Sequence, residues 1–348
     1  PNYQVDNLGQ QDRTGEIATA RHCFAAIIVE FDGNVFHFRQ LHMNRRGEFY
    51  DFLSDGSVVH CTPTSVQTVT GAVEAIIPGD WHTGKTDKRV RKATLEAGGI
   101  LQTLKPKHVV WHDFFDGDSI AHHGEHEKTR KAYMAYASGE QWDSLEAELQ
   151  ASLAELEYIR QRIPFAEHHL VPSNHPEFVV EYVNSMRWTK EPTNMEIGAQ
   201  LFTMMTGSLR ERKPEKVDAR ATDPVALWIR KHAPWVNVIE RKQKLLLAGT
   251  LVSLHGDIGT RGAKTRSLQG FRKMNTSLIF GHNHTGIFLG PLVWRVGTSP
   301  PLSQFYVENP TTNWTNTHAI QYKNGQIQLV NIINGRWRKK LASPASTK

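Results

Sequence analysis

Five short apolar runs in this chain each lead straight into a knot of Asp, His or Asn. Val73 to Ile77 is followed by Asp80-Trp81-His82, His108 to Trp111 by His112-Asp113-Phe114-Phe115-Asp116, and His168 to Val171 by Ser173-Asn174-His175. Leu251 to Leu254 leads into His255-Gly256-Asp257, and Ser277 to Phe280 into Gly281-His282-Asn283-His284. Runs this short, each closed by a polar cluster and spaced by helical stretches, read as strands of an α/β fold. In open α/β sheets the carboxyl ends of the strands line the crevice where ligands bind. The pattern therefore sets the fold class and gathers imidazoles, carboxylates and an amide along one edge.

The remaining texture places other elements around these strands. Lys88 to Leu104, Glu125 to Tyr136 and Glu140 to Arg162 have helical spacing, the last a Glu-rich, solvated packing element. Leu245 to Leu254 reads as one strand, Leu292 to Val296 as another, and His318 to Tyr322 with Gln326 to Ile333 as edge strands closing a second sheet. Ahead of the α/β part, Cys23 to Glu30 and Val35 to Gln40 flank the hairpin signal Phe31-Asp32-Gly33-Asn34. Phe49 to Leu53 and Val58 to Cys61 extend this to an antiparallel meander. The expected organisation is a polar segment and small β region over 1–70, a catalytic domain over 71–335 with a helical insert at 120–165, and a basic tail at 336–348.

Composition narrows the classes. The chain carries 22% charged and 39% hydrophobic residues, which excludes a disordered polymer, and 348 residues can bury a large core. Its two cysteines, Cys23 and Cys61, are too few for a disulfide scaffold. It has no apolar run long enough to span a membrane, and its opening Pro-Asn-Tyr-Gln lacks the pattern of a signal peptide, so the expectation is a cytoplasmic protein with no membrane partner. Eighteen histidines outnumber the 15 phenylalanines, which favours metal chemistry.

Two motifs compete for the loop after the first strand. Gly79-Asp80-Trp81-His82-Thr83-Gly84-Lys85-Thr86 matches G-x-x-x-x-G-K-[ST], the pattern of a nucleotide-phosphate loop. Such a loop offers backbone N–H groups to phosphate, and Asp80 would face the nucleotide with its own negative charge. The alternative takes Asp80 and His82 as an Asp-x-His pair of metal ligands. It explains the four later strand ends as well, which the phosphate-loop reading does not.

The ordered series Asp-x-His, Asp-x-x-Asp, Asn-His, His and Gly-His-x-His resembles the calcineurin-like metallophosphoesterases, and covers residues 73–298. The resemblance implies an α/β four-layer sandwich, two mixed sheets flanked by helices, around two divalent metal ions. It implies Asp80, His82, Asp113 and His284 as ligands of one ion and Asp113, Asn174, His255 and His282 as ligands of the other, with Asp113 bridging. A shared carboxylate and a bridging hydroxide hold two cations about 3.5–4 Å apart, and the hydroxide attacks phosphorus in line. His175 matches the family's acid that protonates the departing oxygen. Carboxylate, amide and imidazole ligands without thiolate favour Mn²⁺, ahead of Fe, Zn or Mg. The chain departs from the family where His112 and Ser173 stand in place of glycine, and where Pro176-Glu177 follows Asn-His.

Charge placement points to the substrate. The formal net charge of +6 concentrates in Lys85, Lys88, Arg89, Arg91 and Lys92 after the first motif, and in Arg261, Lys264, Arg266, Arg272 and Lys273 before the last. With Arg210-Glu211-Arg212-Lys213 and the tail Arg336-Trp337-Arg338-Lys339-Lys340, these suit a polyanion. Lys85, Arg89, Arg261, Lys264 and Arg266 are the substrate candidates. The sequence is similar to the SbcD-type DNA nuclease branch, and its Leu254-His255-Gly256-Asp257-Ile258-Gly259 stretch to phage-encoded members, so a host-cytoplasmic DNase with DNA as partner is the expected function. The alternatives are a phosphodiesterase or phosphatase on a small phosphoester, and a non-catalytic scaffold on the same fold. A homo-oligomer is compatible with either.

Overall fold

The computed structural model of the chain describes residues 24–120, 144–211, 223–259, 268–303 and 312–339. Strands β1 (Ala25–Asp32) and β2 (Val35–His42) pair antiparallel across Gly33-Asn34. Gly33 supplies the positive φ, +62°, that so tight a hairpin turn requires. Strands β3 (Phe49–Phe52), β4 (Val58–Cys61) and β5 (Val66–Val69) form a small antiparallel sheet of their own, so the expected single meander is two sheets, with β5 an additional strand.

The α/β part begins with four parallel strands, β6 (Val73–Ile77), β7 (His108–Trp111), β8 (Glu167–Leu170) and the short β9 (Asn237–Val238). A second, mixed sheet contains β10 (Leu246–Leu247), β11 (Thr250–Leu251), β12 (Leu278–Phe280), β13 (Ile287–Leu289) and β14 (Val293–Arg295), in the order β10-β11-β12-β14-β13. The chain then returns as β15 (Thr317–Tyr322) and β16 (Ile327–Asn331), with β15 antiparallel beside β6. These last two strands complete the first sheet, in the order β16-β15-β6-β7-β8-β9, rather than closing the second as expected. Their periodicity marks them as strands, but only long-range pairing decides which sheet receives them.

Side chains alternate between faces, and the alternation builds the layers. On β6, Ala75 and Ile77 meet Val110, Val252, Ile279 and Val296 in a core between the two sheets. Ile76 turns the other way, with Val109 and Trp111, into a larger core under the helices. On β12, Leu278 and Phe280 pack outward against Phe271. The architecture is mixed α/β, with several mixed sheets and an N-terminal antiparallel hairpin.

Helices α1 (Lys88–Leu95) and α2 (Ile100–Leu104) replace the single helix expected from Lys88 to Leu104. The break falls at Gly98, whose φ of +80° no helix accommodates. Helix α3 (Leu145–Arg162) is capped by Ser144, which accepts a hydrogen bond from the Ala147 amide. It buries Leu145, Leu149, Leu156 and Ile159, and with them Glu148, so it is a core helix rather than a solvated one. Helices α4 (Pro176–Asn184), α5 (Met195–Glu211), α6 (Pro224–His232) and α7 (Leu268–Arg272) follow. The strand expected over Leu245 to Leu254 is instead the β10–β11 hairpin, turned at Ala248-Gly249 with φ of +40° and +80°. The helix expected at Glu125 to Tyr136 lies outside the described residues.

The small β region and the segment around Trp337 are fastened to the α/β part. The Gln326 side chain accepts from the Tyr50 amide at 2.6 Å and donates to the Tyr50 carbonyl at 2.8 Å, joining β3 to the start of β16. Arg39 on β2 forms a buried pair with Asp51 at 2.7 Å. Trp337, in the expected basic tail, is buried and donates to the Gly98 carbonyl at 3.0 Å.

Candidate metal centre

Past their last paired residues, β6 and β7 keep bonding as they leave the sheet. The amides of Trp81, His82 and Thr83 donate to the carbonyls of His112, Asp113 and Phe114 at 2.9, 2.7 and 3.1 Å. The second sheet is drawn in at the same edge, since Asp80 N donates to Gly297 O at 3.0 Å and Ser299 N to Asp80 O at 2.8 Å. Gly281 N donates to His255 O at 2.9 Å, tying the last two motifs together. This stitching leaves no phosphate-binding loop at 79–86. The amides of Gly79, Asp80, Trp81, His82, Thr83, Lys85 and Thr86 all donate inside the protein.

Six of the seven expected ligands, all but Asn174, are in mutual reach where these loops converge. Asp80, His82, Asp113 and His284 each offer an atom within 4.8 Å of the others. His82 Nδ1 lies 3.2 Å from Asp116 Oδ1, so that nitrogen carries the proton and Nε2 presents a lone pair. His82 Nε2 faces His284 Nε2 at 3.2 Å. On the other side of Asp113, its Oδ2 is 3.0 Å from His255 Nε2, and the His282 ring stands edge-on to His255 with centroids 5.1 Å apart. Asp113 thus stands between two groups of nitrogen donors.

Several donor atoms have nothing to bind within the protein. Asp80 Oδ1, Asp113 Oδ1 and Asn174 Oδ1 are buried without a hydrogen-bond partner. An orphaned buried polar atom costs about 1–3 kcal/mol, so a cluster of them marks a place built for something else. The backbone is also held in an unusual form. His82, Asp113, His282 and His284 have φ of +50°, +45°, +76° and +58°, the left-handed region that non-glycine residues avoid. Buried His/Asp donors so arranged could hold a metal ion.

Electrostatics set the protonation states. Burial and the nearby Asp113 push the Asp80 carboxyl up to about 7. Burial also acts on Asp113, but the surrounding His255, His175 and His82 hold it well below the usual carboxylate range. Burial lowers His282 to about 4 and His284 to about 3, helped by the neighbouring His255 and His82 respectively, which keeps both rings neutral. His175 is the opposite case. Despite burial, Asp113 and Asp116 push it up to about 10. Its Nδ1 donates to Asp116 at 2.9 Å from Oδ1 and 2.8 Å from the backbone carbonyl, leaving Nε2 3.7 Å from Asp113 Oδ2.

Around the donors stands a shell of supporting side chains. Asp116 orients both His82 and His175, and Lys85 pairs with Asp116 and, at 2.5 Å, with Asp118. Lys85 is thereby committed to two carboxylates beside the centre. Glu148, reaching in from α3, accepts from the amides of Gly117, Asp118 and Ser119 at 2.6, 3.1 and 3.2 Å and from the Ser119 hydroxyl at 2.7 Å. Arg241 binds the Ser173 carbonyl, Glu177 at 3.0 Å and Asp257 at 2.6 Å, clamping the loops that carry Asn174 and His255. Trp314 sits edge-on to His284 with centroids 4.5 Å apart. No residue spacing links Glu148, Arg241 or Trp314 to the centre, so only the fold could find them.

The remaining candidates scatter. His112, in the place of the usual glycine, is buried and stacks on His255 at 5.7 Å between centroids, and burial lowers it to about 3. Ser173 is buried under Arg241. Arg89 is exposed and pairs with Asp87, and Arg91 pairs with Glu155 at 2.8 Å. His168 belongs to the core, taking a hydrogen bond from Trp111 Nε1 at 3.3 Å. Arg212, Lys213, Arg261, Lys264, Arg266 and Lys340 lie outside the described residues.

No family model matches the chain. Over 339 residues it is 31% identical to Protein A1 of Escherichia phage T5, an alignment that takes in 94% of this chain. The chain spans 57% of the length of that relative. Among the described residues, no helix is long and apolar enough to cross a membrane.

Proposed function

We propose that the chain is a calcineurin-like metallophosphoesterase that cleaves DNA phosphodiester bonds with two divalent metal ions, Mn²⁺ first among them. The observation that carries this reading is the place of Asp113 Oδ2, 3.0 Å from His255 Nε2, 3.8 Å from His82 Nε2 and 3.7 Å from His175 Nε2. A carboxylate central to two donor groups is what a shared ligand requires. Asp80, His82, Asp113 and His284 would hold one ion and Asp113, Asn174, His255 and His282 the other. Such a pair supplies Lewis acidity at phosphorus and an activated water.

The chain's own residues account for the rest. Asp116 holds the ring of His82 through Nδ1, so that Nε2 is aimed at the centre. His175 is charged at neutral pH and held by Asp116, with Nε2 directed to the donors and its side chain 22% exposed toward solvent. That geometry suits proton donation to the departing oxygen of the ester. The likeness to a phage protein fits the expected phage-encoded class, and the basic clusters favour a polyanionic substrate.

Linear and circular DNA incubated with the purified protein in Mn²⁺ test the proposal. Cleavage lost in Asp113→Ala and strongly reduced in His175→Ala is the expected result. Hydrolysis of bis-p-nitrophenyl phosphate without cleavage of either DNA would remove the polymer substrate and keep the phosphodiesterase. Inertness toward both would leave the non-catalytic scaffold.

A further inference from the structure

At the opposite end of β7 and β8 from the candidate centre, three side chains converge that neither the centre nor the core uses. His108 and Glu167 are register partners on the parallel strands, and His169, two residues beyond Glu167, projects from the same face. His108 Nδ1 lies 3.1 Å from His169 Nε2 and 3.5 Å from Glu167 Oε2. One donor atom from each lies within 4.8 Å of the other two. At about 3.3 Å per extended residue, the chain from His108 to Asp113 puts roughly 15 Å between this cluster and the centre.

Both imidazoles are steered from behind. His108 Nε2 points toward Glu74 Oε1 at 3.8 Å, and Glu74 is itself held by Lys107 at 2.9 Å. The Asn237 side-chain NH₂ donates to His169 Nδ1 at 2.9 Å, so without a metal the ring proton sits on Nε2 and is shared with His108 Nδ1 at 3.1 Å; an ion replaces that proton. Glu74 and Asn237 behind the rings turn the remaining nitrogens, Nδ1 of His108 and Nε2 of His169, toward one point. Burial, with His108 and His168 close by, lowers His169 to about 4, so it is a neutral donor at pH 7. The Glu167 side chain is 75% exposed and His108 17% exposed, so an ion reaches the cluster from solvent.

We infer that His108, Glu167 and His169 form a separate zinc-type site, two imidazoles and one carboxylate with solvent completing the coordination, which pins β7 to β8 at the sheet's amino-terminal edge. Two nitrogens and one oxygen match the donor preferences of Zn²⁺ and not the all-oxygen shells of Mg²⁺ or Ca²⁺. The site does not depend on the function proposed above.

The test counts zinc on the full chain. Wild type, Glu167→Gln and His108→Gln are equilibrated with ZnCl₂, desalted and analysed for bound metal, and the same proteins are titrated with Co²⁺ and followed by visible absorption. The candidate centre is intact in all three, so differences report on this cluster alone. Wild type is expected to retain one more zinc per chain than either variant, and to show a Co²⁺ absorption component that both lack. Zinc affinity at this site should fall at least about 10-fold in Glu167→Gln, with an unchanged circular dichroism spectrum. Glu167 is a surface side chain, so this variant keeps the test open even if His108→Gln does not fold. Equal zinc counts and superimposable Co²⁺ spectra in the three proteins would overturn the site.

Discussion

His82 and His284 present their Nε2 atoms to each other at 3.2 Å, while Asp116 holds the proton of His82 on the far nitrogen. A lone pair so placed is satisfied either by a proton on His284 Nε2 or by a cation shared between the rings. A bound metal would satisfy both rings at once. Metal addition should therefore raise the melting temperature of the wild type, and Asp113→Asn should remove most of that increase. Metal binding, read by calorimetry, is expected to weaken at least about 100-fold in that variant, beyond the 10–100-fold typical of residues that only support a ligand. An unchanged metal titration would show that Asp113 is not a ligand.

Asp116 acts through the rings it holds. Asp116→Asn keeps the shape of the side chain but loses the charge that fixes His82 and His175, and leaves Lys85 with Asp118 as its remaining carboxylate. Metal affinity or DNA cleavage should drop about 10–100-fold. Equal activity in the variant and the wild type would place Asp116 outside the working site.

Gly281 makes a sharper steric test. A Cβ at this position would come within 1.9 Å of Asp80 Oδ1, and the next amide, His282 N, already donates to Asp80 Oδ2 at 2.7 Å. Gly281→Ala should displace Asp80 and abolish metal-dependent cleavage while the fold, followed by circular dichroism, persists. Full activity would mean that Asp80 can move without consequence.

The charge on His175 is a stability statement in the metal-free protein. Its folded-state pKa of about 10 lies above the ordinary histidine value of about 6.5. The contribution is therefore fully present below about pH 6.5 and is lost as pH rises through about 10. Between pH 7 and 10.5 the metal-free wild type should lose more melting temperature than His175→Gln. Parallel curves for the two proteins would contradict the pairing with Asp113 and Asp116.

Glu148 tests the support from α3. Replacing it with Gln weakens four hydrogen bonds to the loop that follows Asp116 and turns a donor toward backbone amides. A loss of about 1–3 kcal/mol in stability is expected by chemical denaturation. Cleavage should fall as well, since residues 117–119 position Asp116. A variant as stable as the wild type would show that the loop holds itself.

The strands and the donors at their ends were legible from the residues because each lies on one continuous stretch of chain. A run such as His108 to Trp111 declares itself by its apolar content, and the residues that follow it must emerge at the sheet's carboxyl edge. By the same logic Gly33-Asn34 announced its hairpin. Where a short glycine-containing turn interrupts an apolar pattern the reading failed, as at Gly98-Gly99 and Ala248-Gly249, because a helix or strand period looks continuous across it. Only the tertiary structure decided that β15 and β16 join the first sheet, that Glu148 is buried beneath the loop after Asp116, and that Arg241 spans Ser173, Glu177 and Asp257. It likewise decided that His108 meets His169. These are contacts between residues far apart in the chain or on neighbouring strands, and their energy depends on packing and desolvation that arise only when the sheets close. Local sequence determined which atoms stand at the strand ends; the closing of the sheets determined how near they come and what holds them there.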